Sequence, residues 1–155
     1  MLHTYVYGES GMAIDKSKKY WRGDSADDVV EYLDEYSENE ITKVVVVKCR
    51  RCGLVVFTFK IDTAEGVIEI TCVACGKKHL LLDSEKSLAK SKPENAKCSE
   101  CKKSQFNVAV GFIHRRDSEV KWVYIGNRCA NCGILGSYGD WGINYAPTDE
   151  MEKNV

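Results

Sequence analysis

The chain has 155 residues, 44% of them hydrophobic and 29% charged, with 22 Lys/Arg against 23 Asp/Glu and eight cysteines. That balance excludes a disordered or fibrous chain, and no apolar run approaches the roughly 20 residues that cross a bilayer. The N-terminal M-L-H-T-Y-V-Y-G-E-S lacks a basic region followed by an apolar core, so a cytoplasmic setting is expected, in which paired cysteines read as metal ligands rather than disulfides.

Charge is unevenly distributed. Residues 1–42 carry four Lys/Arg against ten Asp/Glu, residues 43–97 eleven against six, and residues 98–155 seven of each. In chain order, Thr4–Tyr7 reads as a short strand and Gly8–Gly11 as a turn. Ser25 is placed as a helix N-cap, with Asp27 and Asp28 near the positive end of the helix dipole. Ala26, Val29, Val30, Leu33 and Tyr36 recur at helical spacing, and Glu31, Asp34, Glu35 and Glu38 fall largely off that face, so an amphipathic helix with an acidic side is expected over 25–37. Ile41–Lys48, with its four consecutive valines, reads as a strand buried on both sides.

The densest signal follows. K-C-R-R-C-G ends a strand, nineteen residues separate Cys52 from Cys72, and C-V-A-C-G closes the stretch. Between them Val55, Phe57, Phe59 and Ile61 alternate with Leu54, Val56, Thr58 and Lys60, Asp62–Gly66 supplies turn residues, and Ile68 and Ile70 mark one face of a return strand. His79–Leu82 reads as a further short strand. Residues 84–97 are polar, lysine-rich and broken by Pro93, the composition of a linker. The plan then repeats: Cys98 and Cys101, an alternating run through Phe106, Val108, Val110 and Phe112, a charged turn at Arg115–Glu119, a return strand with Trp122 and Tyr124 on one face, and Cys129 and Cys132. A glycine- and aromatic-rich segment follows and is expected to pack on the second hairpin. The residues after Pro147 are expected to fray.

All eight cysteines fall in four Cys-x-x-Cys pairs. Such a turn presents two thiolates from one tight loop, and an antiparallel hairpin brings its open ends together. That favours Cys49, Cys52, Cys72 and Cys75 around one ion and Cys98, Cys101, Cys129 and Cys132 around a second. A cross-braced arrangement, in which the first pair shares an ion with the third, is the alternative. Gly53, Gly76 and Gly133 follow three of the pairs, where a glycine tolerates positive φ.

Each half, from Cys49 to Cys132, resembles the zinc ribbon group. The resemblance implies two structural zinc ions, each closed by four thiolates with no position open to substrate. Rubredoxins also bind metal through two Cys-x-x-Cys-Gly turns, which keeps iron as an alternative, although the proline typical of their second turn is missing. With four thiolates on each divalent ion, the formal charge moves from −1 to −5. The second turn is similar in outline to the acidic hairpin tip of transcript-cleavage factors and related RNA polymerase subunits, but Ser118 separates Asp117 from Glu119 and the chain runs on well past Cys132.

The expected fold class is α+β: an N-terminal amphipathic helix with a short strand region over 1–42, then two antiparallel β zinc-ribbon units at 43–83 and 98–147, joined by a linker at 84–97 and followed by a tail at 148–155. His3, His79 and His114 have no catalytic partner at a recognisable spacing, so no enzyme activity and no small-molecule substrate are expected. The expected role is a zinc-stabilised adaptor or regulatory protein acting through protein–protein contacts, with Trp21, Trp122, Tyr138, Trp141 and Tyr145 divided between anchors and core. The alternative is a transcription-type module contacting nucleic acid or RNA polymerase. It rests on Lys48, Arg50, Arg51, Lys77 and Lys78 around the first cysteine set, the linker residues Lys86, Lys90, Lys92 and Lys97, and Arg115 and Arg116.

Overall fold

The computed structural model describes residues 14–37 and 41–155. The strand expected at Thr4–Tyr7, the turn at Gly8–Gly11 and His3 lie outside these. Helix α1 (Asp28–Tyr36) precedes β1 (Lys43–Val46), β2 (Phe57–Asp62), β3 (Val67–Cys72) and β4 (Lys78–Leu80). A helical turn α2 (Ser84–Ser87) and β5 (Glu94–Asn95) follow, then β6 (Phe106–His114), β7 (Val120–Cys129), β8 (Leu135–Gly142) and α3 (Asp149–Lys153). All strands belong to one antiparallel sheet, with the path β4-β3-β2-β6-β7-β8, β1 beside β6 and β5 beside β2.

The two hairpins, expected as separate units, are joined within this sheet. Phe57 pairs with Phe106, and these residues pair in turn with Cys72 and Cys129. One row of the sheet therefore reads Cys72, Phe57, Phe106, Cys129. Because β2 and β6 are antiparallel and meet at their first residues, the hairpins point in opposite directions and their cysteine ends meet at the centre. Each half has three consecutive strands, β2-β3-β4 and β6-β7-β8, and the strand order is symmetric about the β2–β6 junction.

The strands leading into each first cysteine pair are exchanged. β1 precedes Cys49 but pairs with β6 of the other half, Val46 opposite Ala109. β5 precedes Cys98 but pairs with β2, Asn95 opposite Lys60. Equivalent bonds continue both ladders, Val47 N to Val108 O at 2.9 Å and Ala96 N to Phe59 O at 2.9 Å.

Alternation sorts the side chains into two clusters. Phe57, Phe59, Ile68, Ile70, Phe106, Val108, Val110, Phe112, Val123 and Ile125 form one core together with cysteines of both sets. On the other face Val29, Val30 and Leu33 of α1, all fully buried, pack with Val44, Ala109, Tyr124 and Leu135. Small residues on β6 and β7 let the helix approach: a Cβ on Gly126 would lie 2.8 Å from Val29 Cγ1 and 2.9 Å from Leu33 Cγ. Burial of each of those aliphatic side chains stabilises the docked helix by about 2 kcal/mol.

Ser25 is not the N-cap. Asp27 occupies that position without a side-chain cap, and the carboxylate of Asp28 instead accepts from the backbone N–H groups of Asp24 (2.7 Å) and Ser25 (3.2 Å). Residues 84–97, read as a linker, are bound to both halves. Ser84 is fully buried and its hydroxyl accepts from Ile68 N, Lys92 N donates to Asp62 Oδ2, and Lys97 N donates to the Tyr138 hydroxyl. The expected fraying after Pro147 is also absent. Thr148 and Met151 are 1% and 2% exposed, and the Glu119 carboxylate accepts from both Thr148 N (2.6 Å) and Thr148 Oγ1 (2.9 Å). A buried methionine and a filled acceptor hold α3 where composition alone suggested a loose end.

Candidate metal centres

Four cysteine turns carry the candidate ligands, and they repeat one backbone design. The N–H of the first cysteine donates to the carbonyl five residues on: Cys49 to Leu54, Cys72 to Lys77, Cys98 to Lys103 and Cys129 to Ile134, all at 2.8–2.9 Å. The fourth residue after that cysteine donates back to its carbonyl: Gly53, Gly76, Lys102 and Gly133, at 2.8–3.0 Å. These four residues all take positive φ, +77°, +77°, +65° and +81°. Glycine supplies that conformation without strain at three of them. The fourth is a lysine, whose ammonium donates to Ser99 O at 2.8 Å.

The hairpins bring the turns together in sequential sets: Cys49, Cys52, Cys72 and Cys75 in one, Cys98, Cys101, Cys129 and Cys132 in the other. Within each set every sulfur lies within 4.8 Å of the others. The sulfur separations are 3.5 Å for Cys49–Cys75 and Cys52–Cys72, 3.6 Å for Cys98–Cys132 and 3.5 Å for Cys101–Cys129. A disulfide needs about 2.05 Å, whereas a tetrahedron with metal–sulfur bonds of about 2.3 Å has edges of about 3.8 Å. The sulfurs therefore fit a shared tetrahedral ion and not a covalent bridge. Two clusters so arranged can hold two metal ions.

Electrostatics agree with that reading. The backbone N–H of Cys52 and the His79 side chain draw the Cys49 thiol down to about 5. The Leu54 amide favours the Cys52 thiolate, but burial and the neighbouring thiols outweigh it and push Cys52 up to about 11. In the second set the Lys103 amide draws Cys101 down to about 6, while burial pushes Cys132 up to about 12. Thiols held this close resist losing all their protons together, so ligation of a cation by the full set is coupled to proton release.

The remaining candidates separate. Arg50 donates to Lys153 O and Arg51 to Cys75 O, so both guanidinium groups brace the backbone around the first centre. Arg50, Lys77, Lys78 and His79 line an open hollow there. At the second hairpin's tip Glu119 holds Thr148, and Asp117 accepts from Glu119 N. His114 shares hydrogen bonds with Thr42 Oγ1 (2.5 Å) and Glu152 Oε1 (3.1 Å), tying the residue before β1 and helix α3 to β6. Trp141 and Tyr138 pack against the core, and the Tyr145 hydroxyl donates to Asp83. Trp122 donates through Nε1 to Asp140 at 2.9 Å.

One surface had no clear signal in the sequence. Lys19, Tyr20, Trp21, Tyr32, Tyr36 and Leu135 line a groove between α1 and the start of β8. Tyr32 stacks on Tyr36 at 5.4 Å and meets the edge of Trp21 at 5.9 Å. Tyr20 and Tyr36 are 38% and 47% exposed. Lys16 crosses the rim, 5.0 Å from the Trp21 ring and 2.6 Å from Glu35. Burial, followed by the charge of Glu35, raises the Glu31 carboxyl on the same helix, and Lys16 acts the other way. Tyr36 was visible on the helical periodicity, but the placing of Trp21 against Tyr32 involves the bond from Leu135 N to Trp21 O, a contact of distant segments.

No family model, curated protein or solved structure matches this chain. Among the described residues no helix is long and apolar enough to cross a membrane.

Proposed function

We propose that the protein is a noncatalytic, cytoplasmic adaptor or regulatory module, held together by two structural zinc ions, that acts by docking a protein partner on the aromatic groove beside α1. The observation that carries this reading is the groove itself: four aromatic side chains, two of them substantially exposed, meet beside an acidic helix. Rigid aromatic rings give contact area at low entropic cost and dominate binding hot spots. A tetrahedral four-thiolate set suits zinc or iron, and zinc is preferred because neither second cysteine turn carries the proline typical of rubredoxins.

Two measurements test it. Elemental analysis of the purified chain should give two zinc ions, and one ion, none, or iron would overturn the metal assignment. Immobilised zinc-loaded protein should recover from extracts of its native organism a partner that the Tyr36→Ala variant loses, with zinc content and melting temperature unchanged. Equal recovery by the variant would remove the groove from the function.

A second reading is favoured by one observation, the grouping of Arg50, Lys77, Lys78 and His79 around the hollow at the first centre. In that reading the chain is a transcription-type module contacting nucleic acid or RNA polymerase. Retention on single-stranded DNA that falls steeply with salt supports it, and no retention at low salt removes it.

A further inference from the structure

The aromatic groove beside α1 already holds a positive charge of the chain's own. Lys16 Nζ stands over the Trp21 ring, 5.0 Å from its centroid, and donates to Glu35 Oε1 at 2.6 Å. A ring face and a carboxylate thus converge on one ammonium, and both attract a cation. Lys19 repeats half of the arrangement, with its Nζ 5.2 Å from the Tyr20 centroid. Both rings line the same hollow.

The helix adds to this preference. α1 ends at Tyr36, and its last turn contains Glu35 and no basic residue. The carbonyl end of a helix favours a cation. Tyr32 stacks on Tyr36 with the planes 18° apart and stands at 86° to Trp21, so the rings at this end hold one another in place. The hollow measures about 200 Å³. That is below the roughly 300 Å³ at which small-molecule sites begin, and it suits a single side chain.

Lys16 is a weak occupant. Its side chain is 44% exposed and that of Glu35 39%, and ion pairs at such exposure contribute little. A guanidinium is better matched: it is planar, stacks on an aromatic face, pairs with a carboxylate through two parallel N–H groups and is less strongly hydrated than an ammonium. We propose that the groove takes an arginine side chain from a basic segment of a partner protein, which displaces Lys16 from Trp21 and Glu35. This assigns the partner's chemistry to the docking surface described above and rests on that reading. Lys16 then acts as a tethered competitor that the partner must outbid.

The test titrates the metal-loaded full chain with the peptide acetyl-Leu-Ala-Arg-Ala-Leu-amide and follows it by NMR. Saturable shifts should appear at the Trp21 indole N–H and at the backbone amides of Tyr32 and Tyr36. Citrulline in place of the peptide's arginine keeps the shape and removes the charge, and it should weaken binding about tenfold or more. Two substitutions of exposed residues should act in opposite directions with little change in melting temperature. Glu35→Gln should weaken binding about threefold or more, and Lys16→Ala should tighten it by about the same factor. Equal binding of the citrulline peptide would overturn the proposal. Weaker binding by Lys16→Ala would also overturn it, by showing that the groove uses Lys16 to meet an acidic group. Absence of saturable shifts at millimolar peptide would do the same. In that event, a partner still lost from extracts by Tyr36→Ala would keep the docking surface and discard only the arginine.

Discussion

In four turns of the same design, the residue with positive φ is glycine three times and Lys102 once. A side chain in that conformation costs about 1 kcal/mol, so Lys102→Gly should leave the melting temperature equal or raise it. The three glycines are not equivalent in their surroundings. A Cβ on Gly53 or Gly76 meets nothing within 4 Å, and alanine there should cost only the backbone strain of about 1 kcal/mol. A Cβ on Gly133 would lie 2.8 Å from Gly23 O. That carbonyl accepts from Arg128 Nε at 2.7 Å, and Gly23 N donates to Gly133 O at 2.8 Å. Gly133→Ala should therefore cost about 2–3 kcal/mol in urea unfolding and speed amide exchange at Gly23 and Leu135. Equal costs for the three alanine variants would show that the Gly23 segment is not held tightly. The cysteine spacing was readable because a Cys-x-x-Cys turn is local chemistry. The crowding at Gly133 was not, because it depends on a segment far away in the chain.

At the scale of elements, the strands of the two hairpins followed from alternation, since one buried face imposes a period of two. The helix periodicity was similarly plain in Val29, Val30 and Leu33, but its start was misread: a serine before a charged turn looks like a cap, whereas the first helical N–H groups donate to the carbonyls of Ser25, Ala26 and Asp27 and the Asp28 carboxylate holds the preceding loop through Asp24 N and Ser25 N. Residues 84–97 show the stronger failure of composition. Lysines and a proline look like a linker, yet Asp62 fastens the segment by accepting from Lys92 N at 2.9 Å, and from Ala64 N and Glu65 N in its own turn. The Lys92 amide, with those of Glu65 and Ala64, lowers the Asp62 carboxyl below its ordinary 3.8. A carboxyl whose folded value is depressed contributes stability that is present above the unfolded value and is lost as pH falls through the folded one. Asp62→Asn should consequently melt below the parent at neutral pH, and the difference should close as the pH falls below 3.8 and through the lowered folded value. A gap that persists unchanged in acid would assign the effect to packing instead of charge. Amide exchange at Lys92 should quicken in the variant at neutral pH.

For the molecule as a whole, the duplication was legible and the way its halves join was not. Phe57 and Phe106 stand 49 positions apart, as do Cys49 and Cys98, and Cys52 and Cys101. The second hairpin has twenty-seven residues between its cysteine pairs against nineteen in the first, and this masks the repeat farther along. Nothing local in V-V-V-V indicates that β1 adds to the opposite half, because strand pairing is chosen by the face each residue buries. The exchange has a mechanical consequence. If the halves were beads on a string, Cys72→Ser would release the first ion and leave the second half intact. Instead, β1 and β5 cross over, and the Cys72-Phe57-Phe106-Cys129 row runs through one core with both cysteine sets. Loss of the first ion removes the closure of β2 on β3, and with it the support on which β5 and the Phe57–Phe106 rung depend. We therefore expect Cys72→Ser to bind one metal ion in place of two and to melt well below the parent in a single transition. Amide exchange should accelerate at Phe106 and Val108 in the second half as well as at Phe57 and Phe59 in the first. Two resolved transitions, or full protection of β6 and β7 in the variant, would show that the halves are stable independently and that the strand exchange carries little of the coupling.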